Sequence, residues 1–260
     1  LMAAMWLEPS SRSLQLVFLA WAAGSSLSIV CACVSLRHTL GEVLRIRGLD
    51  WRWVRGGLGT ALYFLAGTLA FRALLTIDRY LLEWSSDMAT VGVYTLYIGI
   101  AMVLTSVADA GVVVRYYPAL VSAYRQGDGA TYRETLTRLA LGICALIALF
   151  ALGLLVIERP LMEFLDQPLY AEQVQVLWFL EEAMAVFNMS MVPHFVLYAR
   201  KADRAILASH LFALLAFMGC ALVQPAATPI LSISLAVLVA MSVLAATKCA
   251  LWLRGDAAGG

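Results

Sequence analysis

Residues 139–157 read LALGICALIALFALGLLVI, nineteen consecutive positions without a charged side chain. A bilayer core about 30 Å thick needs roughly 20 apolar residues in a helix that rises about 1.5 Å per residue. The stretch also lacks the period-two alternation of a membrane-barrel strand, and backbone groups in lipid must be hydrogen-bonded within the segment. It therefore predicts a membrane-spanning helix.

Six further apolar runs lie on either side of this one. Of the 260 residues, 62% are hydrophobic and 13% are charged, whereas soluble proteins average about 25% charged residues. The sequence therefore predicts an all-α polytopic membrane protein with seven transmembrane helices and no soluble domain. We place the helices at residues 14–36, 56–77, 89–114, 136–157, 172–198, 205–224 and 229–253, and expect the second to continue to the polar turn at Ser85.

The basic residues are distributed unevenly between the two sides of these helices. Fourteen of the eighteen fall in every second connection or at the end of the last helix, and the other connections are acidic or neutral. Because short cytoplasmic loops are enriched in Lys and Arg, we predict that the N-terminus lies outside and the C-terminus in the cytoplasm. The net charge of +1 argues against a nucleic-acid partner, which would require a strong basic excess.

Two of the basic connections are predicted to have structure of their own. Residues 37–55 interleave Arg with Leu and Trp, a pattern that suits a short interfacial segment. Residues 119–135 predict a helical extension, a turn at Gly127-Asp128-Gly129 and the start of the next helix. Basic amphipathic stretches of this kind lie on anionic leaflets, and we favour that interpretation over a specific ligand site.

The five cysteines all fall within apolar runs. An odd number, with no pair in a loop and no zinc-type spacing, predicts neither a disulfide framework nor a metal site. We expect small buried side chains. They are Cys31, Cys33, Cys144, Cys220 and Cys249.

Several charged side chains lie within or close to the apolar runs. Each costs at least about 2.5–3.5 kcal/mol on insertion scales and is expected to face protein or water. Arg72 and Arg79 share one stripe of the second helix, where two guanidiniums facing a cavity would attract phosphate. Pairing with Asp78 or with an acidic residue of another helix is an equally good interpretation. Asp109 is expected either to pair with Arg115 or to line a lumen.

The last two helices each carry one basic or titratable side chain. Lys248 is predicted to lie near the inner end of the last helix, from where its stem would reach the headgroups. A retinal-binding receptor, the alternative that seven spans suggest, would need this lysine nearer the middle of the helix. His210 is expected to make a hydrogen bond between helices.

Glu181 and Glu182 are the most informative charged residues. They lie nine or ten residues into the fifth predicted helix, about 13–15 Å deep at the helical rise. Asn188 follows on the stripe of Glu181, and Pro193 predicts a kink in the inner half. A polar stripe inside a span is a functional-site hypothesis by default. The alternative is a structural hydrogen bond between helices.

Nothing in the sequence indicates catalysis. It contains no Gly-x-Ser-x-Gly motif, no nucleotide-binding glycine-rich loop and no histidine-rich cluster, which are the usual signatures of such sites. We therefore predict that the protein is not an enzyme and uses no cofactor.

The second and third helices resemble a helical hairpin of a known family. Ile77-Asp78-Arg79-Tyr80-Leu81-Leu82, followed by a short polar turn and Val91-Gly92-Val93-Tyr94, resembles the Asp-Arg…Val-Gly-x-Tyr hairpin of bacterial polysaccharide and O-antigen flippases. These belong to the multidrug/oligosaccharidyl-lipid/polysaccharide exporter superfamily. Tyr117-Pro118-Ala119-Leu120 and Arg125-Gln126-Gly127-Asp128 are similar to the family's cytoplasmic link after the equivalent helix.

The resemblance implies an organisation in lobes. Proteins of that family have two six-helix lobes around a central cavity that alternates between the membrane faces. Residues 1–55 would then be the last helix of a first lobe with its basic linker, residues 56–254 the six-helix second lobe, and residues 255–260 a short tail. Five helices would be missing, so we expect a half-size or incomplete transporter that dimerises, joins a separate first lobe or does not work.

The resemblance also implies a substrate and a location. It predicts flipping of an undecaprenyl-diphosphate-linked oligosaccharide across the bacterial inner membrane, with Arg72 and Arg79 meeting diphosphate or acidic sugar. Glu181 would bind a coupling cation or glycan hydroxyls. The alternatives are an accessory membrane subunit of a glycan-assembly complex and a drug exporter of the same superfamily. The cavity candidates are Arg72, Asp78, Arg79, Asp109, Glu181, Glu182 and Asn188.

Overall fold

The computed structural model describes residues 14–37, 50–223 and 228–257, and every regular element within them is a helix. Most of the predicted interfacial segment, the first thirteen residues and the end of the tail lie outside the described residues. The helices are α1 Leu14–Ser35, α2 Trp51–Ser85, α3 Met88–Ala108, a π-helix at Asp109–Val113, α4 Val114–Gln126, α5 Gly129–Leu165, α6 Pro168–Glu172, α7 Val174–Met189, α8 Met191–Ala199, α9 Asp203–Val223 and α10 Pro229–Ala257.

The chain divides into two compact units, Leu1–Gly57 and Leu58–Gly260. Within the first, α1 exposes nearly all of its described side chains, including Phe18 and Trp21. The second unit is a helix bundle whose outer surface is also rich in exposed Leu, Val and Phe. Extensive exposed apolar surface of this kind is rare on soluble proteins and suits a lipid environment.

Six of the described helical stretches are long and apolar enough to cross a membrane, judged by length and composition. This agrees with the prediction of an all-α polytopic membrane protein. The stretches are Phe18–Ser35, Trp51–Ser85, Met88–Gln126, Gly129–Leu165, Asp203–Val223 and Pro229–Arg254.

The fifth predicted helix, residues 172–198, is not continuous. It is divided into α6, α7 and α8, with α7 and α8 separated at Ser190, and each piece is shorter than 18 residues. The position of Pro193 explains the interruption. Proline has no backbone N–H, so it cannot donate to the carbonyl of Met189 one turn earlier, and it is tolerated in the first turn of the next helix. Ser190 keeps right-handed helical backbone angles, and the helical hydrogen bonds from the Ser190 N–H to the Val186 carbonyl and from the His194 N–H to the Ser190 carbonyl persist at 3.0 and 3.1 Å. The interruption is therefore a local distortion at Ser190, close to the kink that the sequence predicts at Pro193.

Two expectations for the connections are confirmed. α2 continues to Ser85, and the side chain of Asp87 then caps α3 by accepting from the backbone N–H of Thr90 at 2.7 Å. α4 ends at Gln126 and α5 begins at Gly129. Gly127 takes the left-handed φ of 71° that ends α4, a conformation that glycine adopts at little cost.

The helices of the bundle approach one another through small side chains. Ala101 of α3, Ala183 of α7 and Ala236 and Ala240 of α10 are fully buried. Between helices in lipid, association depends on close packing and hydrogen bonds more than on the hydrophobic effect. Buried polar contacts therefore carry particular weight in this bundle.

The cysteines do not follow their prediction. Cys31, Cys33, Cys144 and Cys249 are exposed, Cys220 is half-buried, and all five are free thiols. Cys144 and Cys249 border an open cavity between α5 and α10. All five lie on helices of predominantly apolar sequence. On such helices, hydrophobic periodicity does not distinguish the lipid-facing side from the buried side.

Candidate functional site

Glu181 and Glu182 have different surroundings although they are adjacent in α7. Glu181 is 6% exposed and its Oε1 has no hydrogen-bond partner among the described residues. Glu182 is exposed and borders an open apolar cavity between α5, α7, α8 and α10. Successive helical residues point about 100° apart, which separates the two carboxyls. Glu181 is therefore the member of the pair that points into the bundle.

Asn188 forms the hydrogen bond between helices that the sequence left open as an alternative. Its side-chain amide donates to Thr105 Oγ1 of α3 at 3.0 Å and to the carbonyl of Met184 at 2.7 Å. The residue is 1% exposed. Two satisfied donors at a buried position indicate a contact that fixes α7 against α3.

Lys248 is buried inside the bundle, and the prediction that its side chain reaches the headgroups is therefore wrong. The residue is 0% exposed, and its Nζ donates to Ser190 Oγ at 3.3 Å. Nζ also lies 5.9 Å from the centre of the Phe187 ring. No carboxylate lies within ion-pair distance of this amine in the described part of the chain. A buried lysine without a counter-charge is costly and uncommon.

Two histidines lie close enough to Lys248 to interact with its charge. The His194 ring, on α8, is 6.3 Å from the His210 ring on α9, and His194 Nδ1 has no hydrogen-bond partner among the described residues. His210 Nδ1 lies 2.8 Å from the carbonyl of Ile206 on its own helix. The hydrogen bond expected between helices at His210 is thus replaced by one within α9. We call Ser190, His194, His210 and Lys248 the break cluster.

A sequence signal for the break cluster exists in α10. Val237, Met241 and Leu244 are fully buried at the spacing of one helical stripe, and Lys248 continues that stripe at the next turn. A lysine on the same face as three buried residues points inward. Distance from the helix end was therefore the wrong criterion, and the face of the helix was the informative one.

Asp78 and Tyr94, the polar residues of the hairpin motif, contact each other. The Tyr94 hydroxyl donates to Asp78 Oδ2 at 2.7 Å, and the backbone N–H of Arg79 donates to Asp78 Oδ1 at 2.7 Å. Both side chains are fully buried. We call this pair the hairpin clasp, because it joins α2 to α3 about two helical turns from their connection.

The two arginines of α2 differ in how far their side chains are exposed. Arg72 is exposed, and no ion pair with Asp78 or another acidic residue is present in the described ranges. Arg79 is half-buried; its Nη1 donates to the carbonyl of Leu75 at 2.8 Å, while its Nε has no partner among the described residues. In the described part of the chain, neither guanidinium has a hydrogen bond or an ion pair to a residue of the break cluster.

Asp109 opens the π-helix within the long α3–α4 rod and is exposed. The pairing with Arg115 is not found among the described residues. Arg115 instead lies over the Tyr116 ring at 5.8 Å. Single π-helical turns inside α-helices are frequent at functional sites, but in the described part of the chain no side-chain hydrogen bond or ion pair joins Asp109 to Glu181.

The geometry defines a class: a multi-pass all-α membrane protein whose bundle interior holds buried titratable side chains around a helix that is distorted at Ser190. A comparison with protein families, with curated proteins and with solved structures finds no match to the chain in any of the three.

Proposed function

We propose that the protein is a transporter, and that it moves a lipid-linked oligosaccharide across the bacterial plasma membrane. The observation that carries the proposal is Glu181, a buried carboxyl of which Oε1 has no hydrogen-bond partner in the described part of the chain. An acidic group in an apolar bundle needs a proton, a cation or a polar substrate.

The glycan substrate is supported by the resemblance of the α2–α3 hairpin to the polysaccharide flippases. Its residues Asp78 and Tyr94 form the hairpin clasp. We assign the clasp to holding the hairpin together, and substrate contact to Glu181 and to the exposed Arg72, whose guanidinium suits diphosphate or acidic sugar.

The proposal includes seven spans, with the N-terminus outside and the C-terminus in the cytoplasm. α7, Ser190 and α8 together cover residues 174–199, which extend about 39 Å at 1.5 Å per residue. That length crosses a core of about 30 Å despite the break. The basic connections then lie on the cytoplasmic side.

Transport also requires a second lobe in this proposal, because one bundle cannot enclose a lipid-linked glycan. The lobe is supplied by another polypeptide segment or by a second copy. The alternatives remain an accessory subunit of a glycan-assembly complex, which moves nothing, and an exporter of small cationic drugs.

The test is complementation of a flippase-deficient bacterium with the chain, co-expressed with a first lobe of the same family. Glu181→Gln and Glu182→Gln form a matched pair, because each removes one charge from adjacent positions of α7. We expect Glu181→Gln to abolish surface glycan and Glu182→Gln to retain it, at equal protein levels. Restoration of surface glycan by Glu181→Gln would support the accessory subunit, and drug resistance without glycan export would support the drug exporter.

A further inference from the structure

A lateral groove runs along the bundle between α5 and α10. Its apolar part, about 650 Å³, is bordered by Ala140, Cys144 and Ala148 of α5 and by Ala245, Cys249 and Trp252 of α10. α7 and α8 form its floor from Glu182 to Pro193. The residues on each wall recur every three or four positions, so a single face of each helix lines the groove.

A second cavity of about 480 Å³ adjoins the first, and Trp252 borders both. It lies at the turn that begins α5 and is lined by Arg133, Arg200, Tyr124 and Tyr132. Arg200 Nη1 donates to the carbonyl of Trp252 at 3.2 Å, which places this guanidinium where the two cavities meet. Basic and aromatic side chains together are typical of the headgroup level of a membrane.

The acidic residue that lines the second cavity, Asp128, already accepts hydrogen bonds from a neighbouring residue. Both carboxylate oxygens of Asp128 accept hydrogen bonds from Thr131, one from its N–H at 3.0 Å and one from its hydroxyl at 2.6 Å. These bonds lower the pKa of Asp128, so the carboxylate is ionised at neutral pH. The lining of the second cavity therefore holds two guanidiniums, those of Arg133 and Arg200, beside one carboxylate whose hydrogen bonds Thr131 already supplies.

The length of the groove matches one leaflet of a bilayer. From Arg133 to Ala148 the α5 face rises about 22 Å at 1.5 Å per residue, and a bilayer of about 40–45 Å has leaflets of about 20–22 Å including headgroups. Glu182 borders the end of the groove that lies farther from the arginines. A carboxylate at that position makes a longer hydrocarbon chain unfavourable. A lipid whose headgroup lies at the arginines would therefore have its acyl chain end near the middle of the membrane.

We propose that this groove binds an anionic phospholipid, with its phosphate between Arg133 and Arg200 and one acyl chain between α5 and α10. The inference is independent of transport. The bound acyl chain packs over Ser190 in the floor of the groove, where α7 and α8 are interrupted. It thereby stabilises this interruption on the side that faces lipid.

The test uses the purified full chain in neutral detergent and a phosphatidylglycerol that carries a photoreactive group in the middle of one acyl chain. We expect crosslinks at residues 140–148 and 245–252, and several-fold fewer with the matching phosphatidylcholine. Arg133→Gln should lower labelling about fivefold, as expected for one basic residue near a phosphate. Arg125→Gln, an exposed arginine outside both cavities, is the matched control and should label normally.

A second pair of variants tests the acyl chain. Ala148→Trp fills the groove and should reduce labelling, while Leu149→Trp, on an exposed position outside the groove, should not. Glycerol phosphate, which lacks a chain, should not compete. Equal labelling by phosphatidylcholine, no effect of Arg133→Gln, or full competition by glycerol phosphate would each overturn the proposal.

Discussion

In the hairpin clasp, the Tyr94 hydroxyl and the Arg79 N–H both donate to Asp78 at 2.7 Å. In the break cluster, Lys248 Nζ makes one hydrogen bond at 3.3 Å in the described part of the chain, and His194 Nδ1 has no hydrogen-bond partner there. Both regions bury polar groups in the same apolar bundle. They differ in whether the polar groups satisfy one another.

The difference separates two reasons for placing polar groups in a membrane. A pair with complete partners stabilises a helix contact and needs nothing from outside. A group without a partner carries an unfavourable desolvation cost, commonly about 1–3 kcal/mol. Proteins nevertheless often keep such unpaired polar groups at sites where a proton, an ion or a substrate is bound. The clasp is then a structural feature, and the break cluster, like Glu181, is a feature that requires a functional explanation.

The largest effect is expected at the hairpin clasp. Tyr94→Phe removes the hydroxyl and leaves the buried Asp78 carboxyl with only one donor. We expect the free energy of unfolding to fall by about 1.5–3 kcal/mol, the range for hydrogen bonds to charged groups. The measurement is reversible unfolding in mixed detergent micelles. Tyr80→Phe, at an exposed tyrosine of α2, is the control and should change little.

Transport provides the complementary measurement for the clasp. A Tyr94→Phe protein that still folds should retain its transport activity, because the clasp is assigned to the hairpin and not to the substrate. Full stability combined with loss of transport would contradict the structural assignment and make Asp78 a binding residue.

The next largest effect, of opposite sign, is expected in the break cluster. Lys248→Met replaces a buried amine by an apolar side chain of similar length, and we expect the free energy of unfolding to rise by about 1–2 kcal/mol. Transport should nevertheless be lost if the amine is used. Lys201→Met, at an exposed lysine, is the matched control and should alter neither. A destabilised Lys248→Met protein would show that the amine is paired more strongly than its single hydrogen bond indicates.

The two regions also differ in how far the sequence could predict them. The helices were predictable because runs such as 139–157 exceed the length of any buried strand, and the turn at Gly127 was predictable from its glycines. The burial of Lys248 was not predicted, because the prediction rested on how far the residue lies from the end of its helix. Whether its side chain is buried depends on which face of the helix carries it. The partner of Asp78 could not be predicted from Asp78 alone, since the contact joins residues sixteen positions apart across a turn.

A smaller effect is expected from the coupling of Ser190 to Lys248. Ser190→Ala removes the oxygen that accepts from Nζ and the hydroxyl that donates to the Phe187 carbonyl at 2.6 Å. One of these two hydrogen bonds is long and the other is local to one helical turn, so we expect a combined loss of about 1 kcal/mol, from a low contribution of roughly 0.5 kcal/mol each. In the double variant with Lys248→Met this loss should shrink, which gives a measurable interaction energy. Strict additivity would mean that the two side chains do not interact.

The smallest effect is expected at the exposed turns, where Asp87 and Asp128 cap α3 and α5. Hydrogen bonds from the backbone N–H and the side chain of Thr90 lower the pKa of Asp87, and those from Thr131 do the same for Asp128. A depressed pKa in the folded state stabilises the protein above the usual Asp value of about 4. That contribution is lost as the pH falls through the lowered pKa.

Substitution by Asn keeps the cap but removes the titration, since both side chains accept from the helix N-terminus. The wild-type melting temperature should therefore fall slightly more steeply below pH 4 than that of Asp87→Asn or Asp128→Asn, with near equality at low pH. Asp203→Asn, at an Asp in the first turn of α9, serves as a reference. A steeper fall in the Asn variants would reverse the sign and show that the carboxylates are not stabilised by these caps.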